Sequence, residues 1–196
     1  MSVYFDYVCP FCLLAENVIT DVAAESGLAV TWKAFELRPY PEPTLRPEDD
    51  YLPAIWQRSV YPMARSLKVP ITLPSASPQP YSRIAFEGMI HARSHGRQDE
   101  YNARVFRAFF QEDRDIGDVD VLCALATESG LDATEFRLAL LEGRHSEEHR
   151  AALAGAQAAG INSVPTIMVG THRWAGVPDR QQLTDFVVRA SITSSP

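Results

Sequence analysis

Val3-Tyr4-Phe5-Asp6-Tyr7-Val8-Cys9-Pro10-Phe11-Cys12 is the stretch on which the reading of this chain turns. Val3-Tyr4-Phe5 is a short β-prone run that stops at Asp6. From Phe11 onward apolar residues recur at Leu14 or Ala15, Val18, Ile19 and Val22, which is a helical period. The pattern predicts a strand, a loop and a helix, with both cysteines at the junction of loop and helix. Proline is favoured at the first helical position. Cys9 is therefore expected at the mouth of the helix and Cys12 one turn inside it.

The thiolate, not the thiol, is the reactive form of cysteine, so a reactive cysteine needs surroundings that favour negative charge. The Cys9 sulfur is expected to face the unpaired N–H groups and the positive dipole end of the helix. Cys12 should be more buried and keep a higher pKa. That asymmetry assigns Cys9 the attack on a disulfide and Cys12 the resolution of the mixed disulfide. Phe11 between them offers the thiolate no hydrogen bond, and Asp6 opposes thiolate formation if it lies close and ionised. The expected reduction potential lies between about −120 and −270 mV.

Outward from this motif, the first helix should end near Gly27, and Leu28 to Leu37 reads as a second strand through Val30, Trp32 and Phe35. A βαβ unit is complete by residue 38. Ten prolines between Pro39 and Pro80 then leave room only for short helices, one of them spaced through Trp56, Val60, Met63 and Leu67. Longer helices follow around Ile84 to His95 and Asp99 to Gln111, with others opening near Asp118 and at Asp132. Asp132-Ala133-Thr134-Glu135 resembles a capping box. Ser146 is expected to cap a further helix running to Gly160. Ser163 to Gly170 reads as a strand led by Pro165, His172-Arg173-Trp174 as its hairpin partner, and Pro178-Asp179 as the start of a last helix. Residues 193–196 should fray. A β/α framework at both ends thus encloses a helical middle, with one domain over 1–45 and 150–196 and an all-helical domain over 46–149.

Composition narrows the function. Of 196 residues, 46% are hydrophobic and 22% charged, and no run approaches the ~20 apolar residues of a membrane helix. The N-terminus shows no secretory pattern, so the expected location is the cytoplasm, with no membrane partner. Net charge is −7 with no basic run, which argues against nucleic acid as a partner. Three cysteines with two of them close together do not resemble a secreted disulfide framework, and point instead to redox chemistry or metal binding. Cys123, inside Val121-Leu122-Cys123-Ala124-Leu125, reads as a packing residue.

Several residues carry two readings. Cys9 and Cys12 with His145 and His149, or with His91 and His95, would make a zinc site. Pro10 inside the pair and the helix that follows favour a redox turn, and no metal is expected. Glu36 is either a buried proton relay for Cys12 or a solvent-facing strand residue. Trp174 and Arg173 either border a substrate groove or serve core packing and solvation. Tyr101, Phe106, Phe109 and Phe110 form an aromatic stripe that is either the core of the helical domain or an apolar cleft wall.

Three segments together, Asp6-Tyr7-Val8-Cys9-Pro10-Phe11-Cys12, Phe35-Glu36-Leu37-Arg38-Pro39 and Gly160-Ile161-Asn162-Ser163-Val164-Pro165-Thr166, resemble the DsbA family, and Arg114 to Val119 resembles its FrnE-like branch. The resemblance spans nearly the whole chain. It implies an α/β thioredoxin fold with an all-helical insertion, a cis Pro165 beside the cysteines, and a Val164 backbone that pairs with bound peptide or thiol. Some FrnE-like proteins carry a C-terminal extension with another cysteine pair, which this chain lacks. Kappa-class glutathione transferases and hydroxychromene carboxylate isomerases commonly have serine in place of the first cysteine, and Cys9 argues against them. The expected function is thiol–disulfide exchange with protein disulfides or low-molecular-weight thiols. It needs no tightly bound cofactor, because the cysteine pair carries two electrons. The rivals are a thiol-dependent transferase, isomerase or reductase of small molecules, and a redox-switched binding protein.

Overall fold

The computed structural model describes residues 1–193. Thr193 closes the last helix, and the rest of the tail expected to fray, 194–196, lies outside the described residues. The chain divides into two compact units, one made of Met1–Leu37 with the described residues from Leu153 onward, the other of Arg38–Ala152.

The first unit is built on a four-stranded sheet. Strand β1 (Ser2–Phe5) leads through Cys9 into α1 (Pro10–Glu25) and back to β2 (Thr31–Ala34), which pairs with β1 in parallel, Val3 opposite Trp32 and Phe5 opposite Ala34. A parallel pair needs such a crossover. Strand β3 (Thr166–Val169) lies antiparallel on the other side of β1, and β4 (His172–Ala175) extends it as a hairpin, giving the order β2-β1-β3-β4. Central β1 is buried from Val3 to Phe5, whereas edge strand β2 alternates exposed and buried residues. The last helix, α9 (Arg180–Thr193), packs against α1, and Arg180 pairs with Asp21 and Glu25 of that helix.

β2 and β3 are shorter than the sequence suggests, because β1 offers four residues of ladder and no more. Beyond Ala34 the Phe35 N–H still reaches the Phe5 carbonyl at 3.0 Å, and Leu37 N–H then turns to the Asp6 carboxylate at 2.7 Å. On β3, Pro165 has no N–H to give and the ladder starts at Thr166. Trp174 is half-buried with its ring on Phe186, and Arg173 donates to the carbonyls of Ala159 and Gly160 at 2.5 and 2.9 Å. That cation ties the hairpin to a helix C-terminus, where carbonyls lack partners and a positive charge is favoured.

In the second unit, α2 (Tyr51–Ile55), a π-helical turn (Trp56–Val60) and α3 (Tyr61–Leu67) form one continuous helical run, longer than the proline count suggests. Tyr61 N–H bonds the carbonyl of Trp56, five residues back, just before Pro62. The wider turn accommodates a proline that can neither donate nor fit under the carbonyl of an ordinary α-turn. Then come α4 (Arg83–Ser94), α5 (Gln98–Gln111), α6 (Val119–Glu128), α7 (Ala133–Leu141) and α8 (Ser146–Ala158), the last crossing from one unit to the other. Asp118 and Asp132 cap α6 and α7 through Asp120 N–H and Glu135 N–H. Ser146 does not cap α8. The first intrahelical bond runs from His149 N–H to the His145 carbonyl, and the Ser146 hydroxyl donates instead to Glu87 Oε1 at 2.9 Å. Tyr101, Phe106, Phe109 and Phe110 are all fully buried, so the aromatic stripe is the core of this unit. Among the described residues no helix is long and apolar enough to cross a membrane.

Candidate active site

Cys9 is the N-cap of α1, with extended backbone at φ −92° and ψ 110°, and Pro10 starts the helix. Two short bonds close the turn: Cys9 N–H to the Asp6 carbonyl at 3.1 Å and Cys12 N–H to the Cys9 carbonyl at 3.0 Å. Both cysteines are free thiols, Cys9 with 4% and Cys12 with 2% of its surface exposed, and the two act on each other electrostatically.

The Cys9 sulfur does not take a hydrogen bond from the first N–H groups of α1. Its thiol donates to the Val164 carbonyl at 3.6 Å, across 155 residues of chain. A protonated thiol is a donor, and so are the N–H groups at the helix mouth, so the carbonyl is the partner it can use. The Val164–Pro165 bond is cis. Pro165 is buried; its carbonyl accepts Gly176 N–H at 2.9 Å, and Thr166 Oγ1 donates to the Ser163 carbonyl at 2.7 Å. These bonds hold the segment before β3 against the β3–β4 hairpin and so fix the carbonyl that meets Cys9.

Burial pushes the Cys12 thiol well above its ordinary range, the hydrogen bond and charge of Cys9 and the charge of Asp6 push the same way, and a hydrogen bond at the Asp6 backbone opposes them. Asp6 is the carboxylate that acts on Cys12. Its side chain is 1% exposed and accepts Val8 N–H at 3.3 Å and Leu37 N–H at 2.7 Å. The sequence marked Asp6 only as an opponent of thiolate formation. Its bonds to the loop were not legible, because Leu37 lies 31 residues away. Glu36 is buried two residues beyond β2, so it does not simply point to solvent. Phe11 and Pro10 are half-buried beside the pair and supply no charge.

Among the described residues, the group that could hold a metal ion is His91, His95 and Glu135, without a cysteine, and His149 stacks on Phe86 at 5.6 Å.

A parallel βαβ unit and an antiparallel hairpin in one sheet, with paired cysteines at the first helix and a cis-proline segment against them, define a thioredoxin-type protein carrying a helical insertion. Residues 1–188 match the DSBA-like thioredoxin domain, and the chain belongs to that family. It is 44% identical over 172 residues to the uncharacterized protein YwbO of Bacillus subtilis (strain 168), covering 87% of this chain and 86% of that one. A probable DsbA oxidoreductase from Streptomyces coelicolor has the same fold, with a TM-score of 0.81 at 20% identity over 100% of this chain and 91% of the other. So does the cytosolic disulfide reductase DsbM from Pseudomonas aeruginosa, solved alone and with GSH, at a TM-score of 0.73 and 19% identity over 98% and 97% of the two chains.

Proposed function

We propose that this protein is a thiol–disulfide oxidoreductase that exchanges electrons through Cys9 and Cys12, with small thiols and disulfides foremost among its substrates. The observation that carries the reading is the asymmetry of the pair. Cys9 sits at the helix mouth with its sulfur against the Val164 carbonyl, while Cys12 lies inside the first turn of α1 and is held in the thiol form by burial. Membership of the DSBA-like family supports it.

In the reducing direction, the Cys9 thiolate attacks one sulfur of a substrate disulfide. The substrate S–S bond breaks, one half leaves as a thiolate and takes a proton, and a Cys9–substrate disulfide forms. Cys12 then loses its proton and attacks the Cys9 sulfur. The second half of the substrate leaves, and the pair, now a disulfide, has given up two electrons. Oxidation of a dithiol runs the same steps backward. The pair itself carries the electrons, so the reaction requires no metal and no bound cofactor.

With only 4% of Cys9 exposed, a slender partner reaches the sulfur more readily than a folded protein, which favours a glutathione-like thiol. The structural likeness to a disulfide reductase solved with GSH agrees with that choice. The cytoplasm suits a chain with one close pair and one buried thiol in place of a set of structural disulfides.

Exchange assays with glutathione disulfide and with insulin test the reading. Cys9→Ser should abolish turnover, Cys12→Ala should accumulate mixed disulfides visible on non-reducing gels, and Cys123→Ala should change neither. Wild-type exchange by Cys9→Ser would overturn the assignment. Full turnover by Cys12→Ala with a small thiol would point instead to single-cysteine transferase chemistry.

A further inference from the structure

The helical unit holds a second cluster of reactive side chains that thiol exchange does not use. His91 and His95 are one helical turn apart at the C-terminal end of α4 and lie on one face of it. Glu135, in the first turn of α7, brings its Oε2 to 3.9 Å from His95 Nε2. The potential ligand atoms of His91, His95 and Glu135 all lie within 4.8 Å of one another. His145 adds a third imidazole, its Nε2 3.4 Å from His91 Nδ1.

Hydrogen bonding fixes the tautomer of His95. Its Nδ1 lies 2.9 Å from the His91 carbonyl and 3.1 Å from Ser94 Oγ. A carbonyl only accepts, so Nδ1 carries the hydrogen and Nε2 of the neutral ring presents a lone pair. That lone pair faces a carboxylate oxygen. Two acceptors so placed call for a cation between them, either a proton on His95 or a metal ion.

His91 stands beside that pair. The residue is 4% exposed, its ring centroid is 4.4 Å from that of His95, and its ligand atom lies within 4.8 Å of those of His95 and Glu135. A metal ion would use all three groups, whereas a proton on His95 uses only two. Neutral imidazoles with a carboxylate are a zinc-type ligand set, and a ring N–H held by a backbone carbonyl is the usual outer contact that aims such a ligand.

We propose that His91, His95 and Glu135 bind one divalent transition-metal ion of the Zn²⁺ class, with His145 against the His91 ring. Ligands at ~2.0–2.1 Å in a tetrahedral array stand about 3.4 Å apart, so His95 and Glu135, now 3.9 Å apart, must close by about half an ångström, and the widest pair of the set, within 4.8 Å, by up to about 1.4 Å. The His95 and Glu135 side chains, 41% and 53% exposed, are free to do so. The α4 C-terminus contributes its negative dipole end. The nearby cations Arg144 and Arg93 are paired with Glu142 and Glu148, which offsets their repulsion.

The test uses the full chain carrying Cys9→Ser and Cys12→Ser, so that the redox pair cannot hold the metal. Zn²⁺ is titrated calorimetrically, and Co²⁺ by its visible absorbance. One equivalent should bind with a tetrahedral Co²⁺ spectrum lacking a thiolate charge-transfer band. Binding should weaken at least tenfold in His95→Gln and in Glu135→Gln, two exposed positions where circular dichroism should confirm an intact fold. No binding, which would leave only a protonated His95 paired with Glu135, overturns the proposal. So does binding that neither substitution weakens.

Discussion

Asp6 has two tasks at one position. Its carboxylate holds the loop by accepting Val8 and Leu37 N–H, and its charge adds to the burial that keeps Cys12 protonated. Asp6→Asn separates them. The amide keeps one acceptor oxygen but turns a donor toward the other N–H, so stability should fall by ~1–3 kcal/mol, the cost of an unsatisfied buried group. The Cys12 pKa should fall as well, while staying above the ordinary range because burial, the first cause, is untouched. Urea denaturation and ultraviolet thiolate titration measure the two effects, and an unchanged Cys12 pKa would mean that Asp6 is uncharged in the dithiol protein. At this scale the sequence was legible where the information is local: proline after Cys9 and an apolar period after Phe11 place the turn. It was not legible where a contact closes over a long distance, as from Cys9 to Val164 or from Asp6 to Leu37, since neither partner's composition marks the approach.

Among the elements, α4, α5 and α7 meet at Gly88. A Cβ there would fall on the Tyr101 hydroxyl and stand 2.7 Å from Phe136 Cζ. In an exposed helix, alanine in place of glycine is favourable by about 1 kcal/mol. Here overpacking against two buried rings costs ~1–3 kcal/mol or more and should win, so Gly88→Ala is expected to destabilise the protein in denaturant titrations. Part of the loss should return when Tyr101→Phe removes the hydroxyl; additive effects would show that the clash lies with Phe136 alone. The helices themselves were readable from their apolar period and from aspartate caps such as Asp132. What periodicity could not give is how the backbone adapts. The π-turn before Pro62 arises from one missing donor. The reciprocal pair of Asp179 and Gln182, each accepting the other's N–H at 3.1 and 2.8 Å, is a capping box hidden behind residue types outside the usual serine or threonine pattern.

For the whole molecule, the buried thiols couple redox state to pH. Burial raises the pKa of Cys12 well above the ordinary thiol value and that of Cys123 above it. Below about pH 8.5 a cysteine keeps its proton in both the folded and the unfolded chain, and the contribution to stability is complete. Above that pH the unfolded chain releases protons that the folded dithiol form retains. It then binds fewer protons than the native state, and stability falls as pH rises toward the folded pKa, by up to ~1.4 kcal/mol per pH unit for each such thiol. The disulfide form has no Cys12 proton to lose, so its stability should decline less over the same range. Denaturant titrations of reduced and oxidised protein from pH 8 to 10 should therefore diverge, the reduced form falling faster. Reduced Cys12→Ala should follow the shallower course, with Cys123 still contributing its own decline. If reduced wild type and reduced Cys12→Ala fall in parallel, then Cys12 ionises in the folded protein as readily as in the unfolded chain. The resolving thiol would then not be held in reserve by burial, and the division of roles between Cys9 and Cys12 would lose its electrostatic basis.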